Sequence, residues 1–119
     1  MRKNIKTQFE EVINEIKEMY LKYGDKEVEA DDDWCLYMKD EEISLMSECY
    51  ILDYPEIDDD TDEEVLPQEA IENQMDIVYR PELLQDAIIA ALHQKPNAAN
   101  DELLHAIKYY IQHDNFMQM

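Results

Sequence analysis

The chain has 119 residues and carries ten Lys or Arg against thirty Asp or Glu, a net charge of −20. Hydrophobic residues make up 45%, too many for a disordered acidic chain, so one domain over residues 1–119 with a modest core is expected. The charge disfavours contact with nucleic-acid phosphate or anionic lipid, the single glycine (Gly24) excludes Gly-rich phosphate loops, and no apolar run is long enough to span a bilayer.

The first stretch, Met1 to Lys6, is charged but is followed by no apolar segment of the kind found in signal peptides. Ile5, Phe9, Val12, Ile13, Ile16, Tyr20 and Tyr23 recur every three or four residues and predict an amphipathic helix over 5–23. Thr7 and Glu10 are placed for a capping box, and Gly24 for the residue that stops the helix at positive φ. The acids then crowd together. Between Asp25 and Glu64 lie eighteen Asp or Glu and two Lys, a net −16 of the total −20.

Apolar alternation inside that segment predicts a β-hairpin. Trp34, Leu36 and Met38 alternate with Cys35 and Tyr37, Lys39 to Glu42 can turn, and Ile43 to Leu52 alternate again. Pairing Met38 with Ile43 sets Leu36 opposite Leu45 and Trp34 opposite Ser47, which puts both apolar sets on one face. In this register Cys35 and Cys49 lie far apart, and both read as reduced thiols in a cytoplasmic protein. Residues 53–66 read as loop. Pro67 to Asn73 reads as a short helix, and Met75, Ile77 and Tyr79 as a third strand. Pro81 opens a helix with Leu84, Ile88 and Leu92 on its apolar face. Asn100 caps another, carrying Leu103, Ile107 and Ile111. The order describes an α+β fold: an N-terminal helix, a small antiparallel sheet built on a β-hairpin, and a C-terminal α-hairpin.

No catalytic constellation stands out, and neither an enzyme nor a cofactor is expected. Asp58, Asp60, Asp62 and Glu69 match four ligand positions of an EF-hand loop. Glu63 falls where that loop needs glycine, and Pro55 breaks the entering helix. His93, His105 and His113 lack close ligand spacing, so no metal site is assigned. The acids around Cys35 raise rather than lower a thiol pKa. Aromatic residues between acidic triplets are the more informative pattern, since anchors inside a charged rim are common at protein interfaces. Candidate partner-binding residues are therefore Asp31, Asp32, Asp33, Tyr37, Tyr50, Tyr54, Asp58, Asp59, Asp60, Asp62, Glu63 and Glu64. Trp34 reads as core.

The C-terminal stretch Leu92-His93-Gln94-Lys95-Pro96, Ala106-Ile107-Lys108-Tyr109-Tyr110 and Asp114-Asn115-Phe116 is similar to a small bacterial family associated with toxin loci. With its size and acidity, the chain resembles bacterial toxin-immunity proteins, including those of contact-dependent growth inhibition. The resemblance implies a cytoplasmic immunity protein that neutralises a basic toxin domain, typically a nuclease, without itself binding nucleic acid or membrane. It transfers no functional residue, because immunity surfaces diverge with their toxins. A nucleic-acid mimic that blocks a DNA- or RNA-binding protein and an acidic secretion chaperone are the alternatives.

Overall fold

The computed structural model describes residues 1–39 and 42–118, and in it the N-terminal periodic stretch divides in two. Ile5–Gln8 is a strand, β1, and the helix α1 runs Phe9–Tyr23, where a single helix from residue 5 was expected. Apolar spacing does not separate the two forms, since Ile5 on a strand and Phe9 on a helix can address one core. Backbone pairing decides: β1 lies antiparallel to the strand Glu48–Leu52, with Ile5 opposite Ile51 and Thr7 opposite Cys49.

The capping box expected of Thr7 and Glu10 does not form, because Thr7 is on the strand and Gln8 takes the cap position without a side-chain bond. Main-chain carbonyls satisfy the helix start instead: Phe9 N–H donates to Ser47 O and Glu10 N–H to Leu45 O, both at 2.9 Å. At the other end Gly24 has φ 89, and its N–H donates to Tyr20 O at 2.9 Å, a stop that a Cβ would strain. A short helix, α2 (Asp25–Ala30), follows at once.

The hairpin exists in another register. β2 (Cys35–Met38) pairs antiparallel with β3 (Glu48–Leu52), setting Leu36 opposite Ile51 and Met38 opposite Cys49. Residues 43–47, expected in the second strand, form a turn in which Ser44 N–H donates to Ser47 Oγ at 2.9 Å and Ser47 N–H to Ser44 O at 3.2 Å. Their carbonyls are the ones that cap α1, and that use competes with pairing to β2. The shift is six positions, an even number, so every side chain keeps its expected face. The turn expected at Lys39 to Glu42 includes Asp40 and Glu41, which lie outside the described residues.

Two tiny strands, β4 (Glu56–Ile57) and β5 (Glu64–Val65), form a separate hairpin within the expected loop. The helix α3 (Gln68–Glu72) and the strand β6 (Asp76–Tyr79) then appear as read, and β6 completes a four-stranded antiparallel sheet in the order β1-β3-β2-β6. Pro81 is the first residue of α4 (Pro81–Gln94), whose partner in the C-terminal α-hairpin is α5 (Asn100–His113). Asn100 is not the cap but the first helical residue; its side-chain amide donates to Asn14 Oδ1 at 2.8 Å and ties α5 to α1. Ala99 precedes the helix, and its N–H donates to Glu102 Oε1 at 3.1 Å.

The main core lies between the sheet and α1, α4 and α5. It is built from Phe9, Ile13, Ile16, Trp34, Leu36, Ile51, Leu84, Ile88, Leu92, Leu103 and Ile107. Trp34 is fully buried, and its Nε1 donates to Asp31 O at 2.8 Å. Side chains of this kind each contribute roughly 1.5–3 kcal/mol on burial. The other face of the sheet holds a smaller core, in which Cys35, Tyr37, Leu52 and Met75 pack with Ala70 of α3 under Tyr54 and Leu66. The two cysteines fall on opposite faces, and both are free and buried.

Candidate functional site

The β4–β5 hairpin carries the densest charge in the molecule. Seven of the ten residues from Glu56 to Val65 are acidic and none is basic. All ten are exposed, including Ile57 at 56% and Val65 at 45%. Register sets Glu56 opposite Val65 and Ile57 opposite Glu64, so each face of this arm shows one apolar side chain beside a carboxylate.

The tip organises itself. Asp58 Oδ1 accepts from Asp60 N–H at 2.8 Å and from Thr61 N–H at 3.2 Å, and Asp58 N–H donates to Glu63 O at 2.9 Å. Asp62 turns the chain at φ 57, a conformation Asp tolerates better than most residues. The Asp58 carboxylate thus serves its own turn, and Asp59, Asp60, Asp62 and Glu63 carry the outward charge. This geometry departs from the EF-hand spacing: a strand enters the loop, and Glu69 lies on α3 beyond it. Among the described residues no three His, Cys, Asp or Glu side chains are grouped to hold a metal ion.

The arm is fastened at its base. Arg80 lies over the Tyr54 ring at 5.5 Å and reaches Glu64 at 3.9 Å. Tyr54 OH donates to Asp32 O at 2.9 Å, which joins the arm to the Asp31–Asp33 triplet. Burial and the neighbouring Glu82 raise the Tyr54 phenol above its ordinary pKa, so it remains a donor.

The triplet itself is largely committed. The Asp31 carboxylate accepts from the N-terminal ammonium at 2.7 Å, and its carbonyl accepts from both Trp34 Nε1 and Gln85 Nε2 at 2.8 Å. Lys3 bridges Asp53 at 2.7 Å and Asp33 at 3.3 Å, an arrangement that raises the lysine pKa, with the Asp53 bond as the first cause. Asp32 and Asp33 are exposed, whereas Asp31 is partly buried.

Tyr37 requires a correction as a candidate contact. It is fully buried in the smaller core, its OH donates to Asp53 O at 2.7 Å, and burial pushes its phenol above the ordinary range. β2 is a central strand buried on both faces, so alternation does not expose its odd positions. Tyr50 is half-buried on the same face, opposite Tyr37 and Lys6. The accessible candidates are therefore Asp32, Asp33 and the arm, with Tyr50 and Tyr54 at its margin. Sequence reasoning missed Ile57, Val65, Lys3, Asp53 and Arg80. The β-branched pair flanking the acidic run was the one available signal for a hairpin there.

The family described as a domain of unknown function, DUF7716, matches residues 7–119, nearly the whole chain, and the protein belongs to it. Neither a curated protein nor a solved structure matches the chain.

Proposed function

We propose that this member of the DUF7716 family is a cytoplasmic immunity protein that neutralises a basic toxin domain, a nuclease in the simplest case, by docking its acidic arm into the toxin's phosphate-binding surface. The observation that carries the reading is the arm. Seven carboxylates in ten exposed residues have one described cation nearby, Arg80, which holds the base and leaves the tip unneutralised. Concentrating like charge on a folded surface costs self-repulsion and is recovered against a partner of opposite sign. The field of such an arm steers encounter at up to ~10⁸–10⁹ M⁻¹s⁻¹ at low salt. Ile57 on one face of the arm and Val65 on the other each set an apolar side chain among the carboxylates, and the turn held by Asp58 presents those carboxylates without an ordering cost on binding. The protein acts as an inhibitor by occupancy and performs no chemistry.

Co-purification from the native operon at low and high salt tests this. The expected result is capture of one basic domain, encoded beside this chain, with its nuclease activity blocked. Neutralising Asp59, Asp60, Asp62 and Glu63 to Asn or Gln should weaken capture by about 100-fold, from four charges worth ~0.7 kcal/mol each. Undiminished capture by the neutralised variant, or no basic partner at low salt, sinks the reading. A captured DNA-binding protein that duplex DNA displaces would instead identify a nucleic-acid mimic.

A further inference from the structure

The sheet has a second surface suited to a partner, away from the arm. β1 is an edge strand: β3 lies on one side of it, and no described strand lies on the other. Phe9 N–H donates to Ser47 O, and hydrogen-bonded pairs in an antiparallel ladder alternate. Thr7 with Cys49 and Ile5 with Ile51 are then the bonded pairs. The N–H and C=O of Lys6 and the N–H of Gln8 point outward from the sheet edge. No proline lies in this edge, which pairs with β3 without a register shift from Ile5 to Gln8, and Lys6, the residue type that most often guards an edge, is drawn 3.5 Å from Glu48 on β3.

Beside the open edge runs a groove between β1 and α1, lined by Arg2, Ile5, Thr7, Glu11, Val12 and Glu15. Ile5 and Thr7 belong to the helix-facing side of the sheet, so a strand added to β1 would place alternate side chains in this groove. Ile5 is 45% exposed there. Glu11 and Glu15 have no ion-pair partner among the described residues. Arg2 offsets one of the two carboxylates, and the ammonium of Met1, which also lines the groove, is paired with Asp31 at 2.7 Å, so the groove stays negative within a molecule of −20. A second copy of the chain brings another −20 and is repelled.

We propose that the β1 edge accepts an extended basic segment of a protein partner as a fifth strand, bonded through Lys6 and Gln8, with its Lys or Arg side chains against Glu11 and Glu15. The recognition is main-chain pairing for affinity and alternate charged side chains for selection. It does not depend on the identity of whatever binds the arm.

The probe is the peptide acetyl-Lys-Val-Lys-Thr-Lys-Val-Lys-amide, followed by NMR amide exchange. In the free protein the amides of Lys6 and Gln8 exchange fast, while those of Thr7 and Phe9 exchange slowly. With peptide, Lys6 and Gln8 become protected, and Glu11 and Glu15 shift. The double substitution Glu11→Lys and Glu15→Lys weakens peptide binding by about ten-fold. Gln8→Pro removes an outward N–H without touching the bonds to β3, and abolishes protection at Lys6 while leaving the melting temperature unchanged. If Gln8→Pro does not fold, the charge reversal at Glu11 and Glu15 alone decides. Peptide-induced shifts confined to residues 56–65, with Lys6 and Gln8 still exchanging fast, overturn the proposal. So does equal binding of the same peptide with Glu in place of Lys.

Discussion

Cys35 and Cys49 show how position governs chemistry at the level of one residue. Burial raises the Cys35 thiol to about 11 and the Cys49 thiol to about 12. Both thiolate forms are therefore disfavoured in the folded protein, and neither side chain is a nucleophile near neutrality. We expect iodoacetamide to label neither cysteine in the native state at pH 8 and to label both in urea, as read by mass spectrometry. Linkage gives the companion result. A folded pKa raised above the unfolded value means that the unfolded state loses its proton first, so stability is intact below about pH 9 and falls as pH rises toward 12. Tyr79, also raised by burial to about 12, adds in the same direction above pH 10. A urea midpoint that holds constant from pH 8 to pH 11 would contradict this. The same burial explains why Tyr37 was misread: alternation identifies which face a side chain takes, but whether that face meets solvent depends on what α3 and the arm base lay over it.

Elements differed in how far their own sequence determined them. α4 was legible because Leu84, Ile88 and Leu92 repeat at helical spacing and Pro81 marks the start. The split of β1 from α1 was not legible, because the deciding factor is a pairing with β3 some forty residues away. The register of β2 with β3 escaped for a related reason. Any even shift preserves the apolar face, and only the use of Leu45 and Ser47 as caps for α1 selects the observed one. The arm had no periodicity to read, yet Asp58 gives it a defined turn. Replacing residues 58–63 with Asn-Gly should preserve the sheet and both cores, since all six residues are exposed. Calorimetry should place the shortened protein within about 0.5 kcal/mol of the parent. A loss of several kcal/mol would make the arm part of the core's support.

Seen whole, the molecule is elongated, 46 × 29 × 27 Å, with a radius of gyration of 14.5 Å. A compact chain of this length would have about 13.5 Å. Its surface holds most of −20 charges, and its ion pairs are few and mainly exposed, which gives them little to set against the repulsion. Added salt should therefore stabilise it. Raising NaCl from ~0.02 M to ~0.5 M shortens the screening length from roughly 20 Å to 4 Å, and should lift the melting temperature by about 4 °C or more. An unchanged or lower midpoint in salt would show that repulsion is not a significant term. The acidic excess was plain in the composition. Its division into a triplet tied at Asp31 and Asp33 and an arm neutralised only at its base was not, because the N-terminal ammonium, Lys3 and Arg80 reach their carboxylates through the fold.

The sheet also acts as a partition. Most of the fold's cohesion resides on the side of α1, α4 and α5, while the arm is attached on the side of the smaller core. Mutations in the arm therefore escape the packing constraints that bind Trp34, Leu84 or Ile107. Under the proposed immunity function, a lineage that follows a changing toxin has here a stretch of ten residues whose wording it can revise from generation to generation, while the grammar of the fold stays as it is.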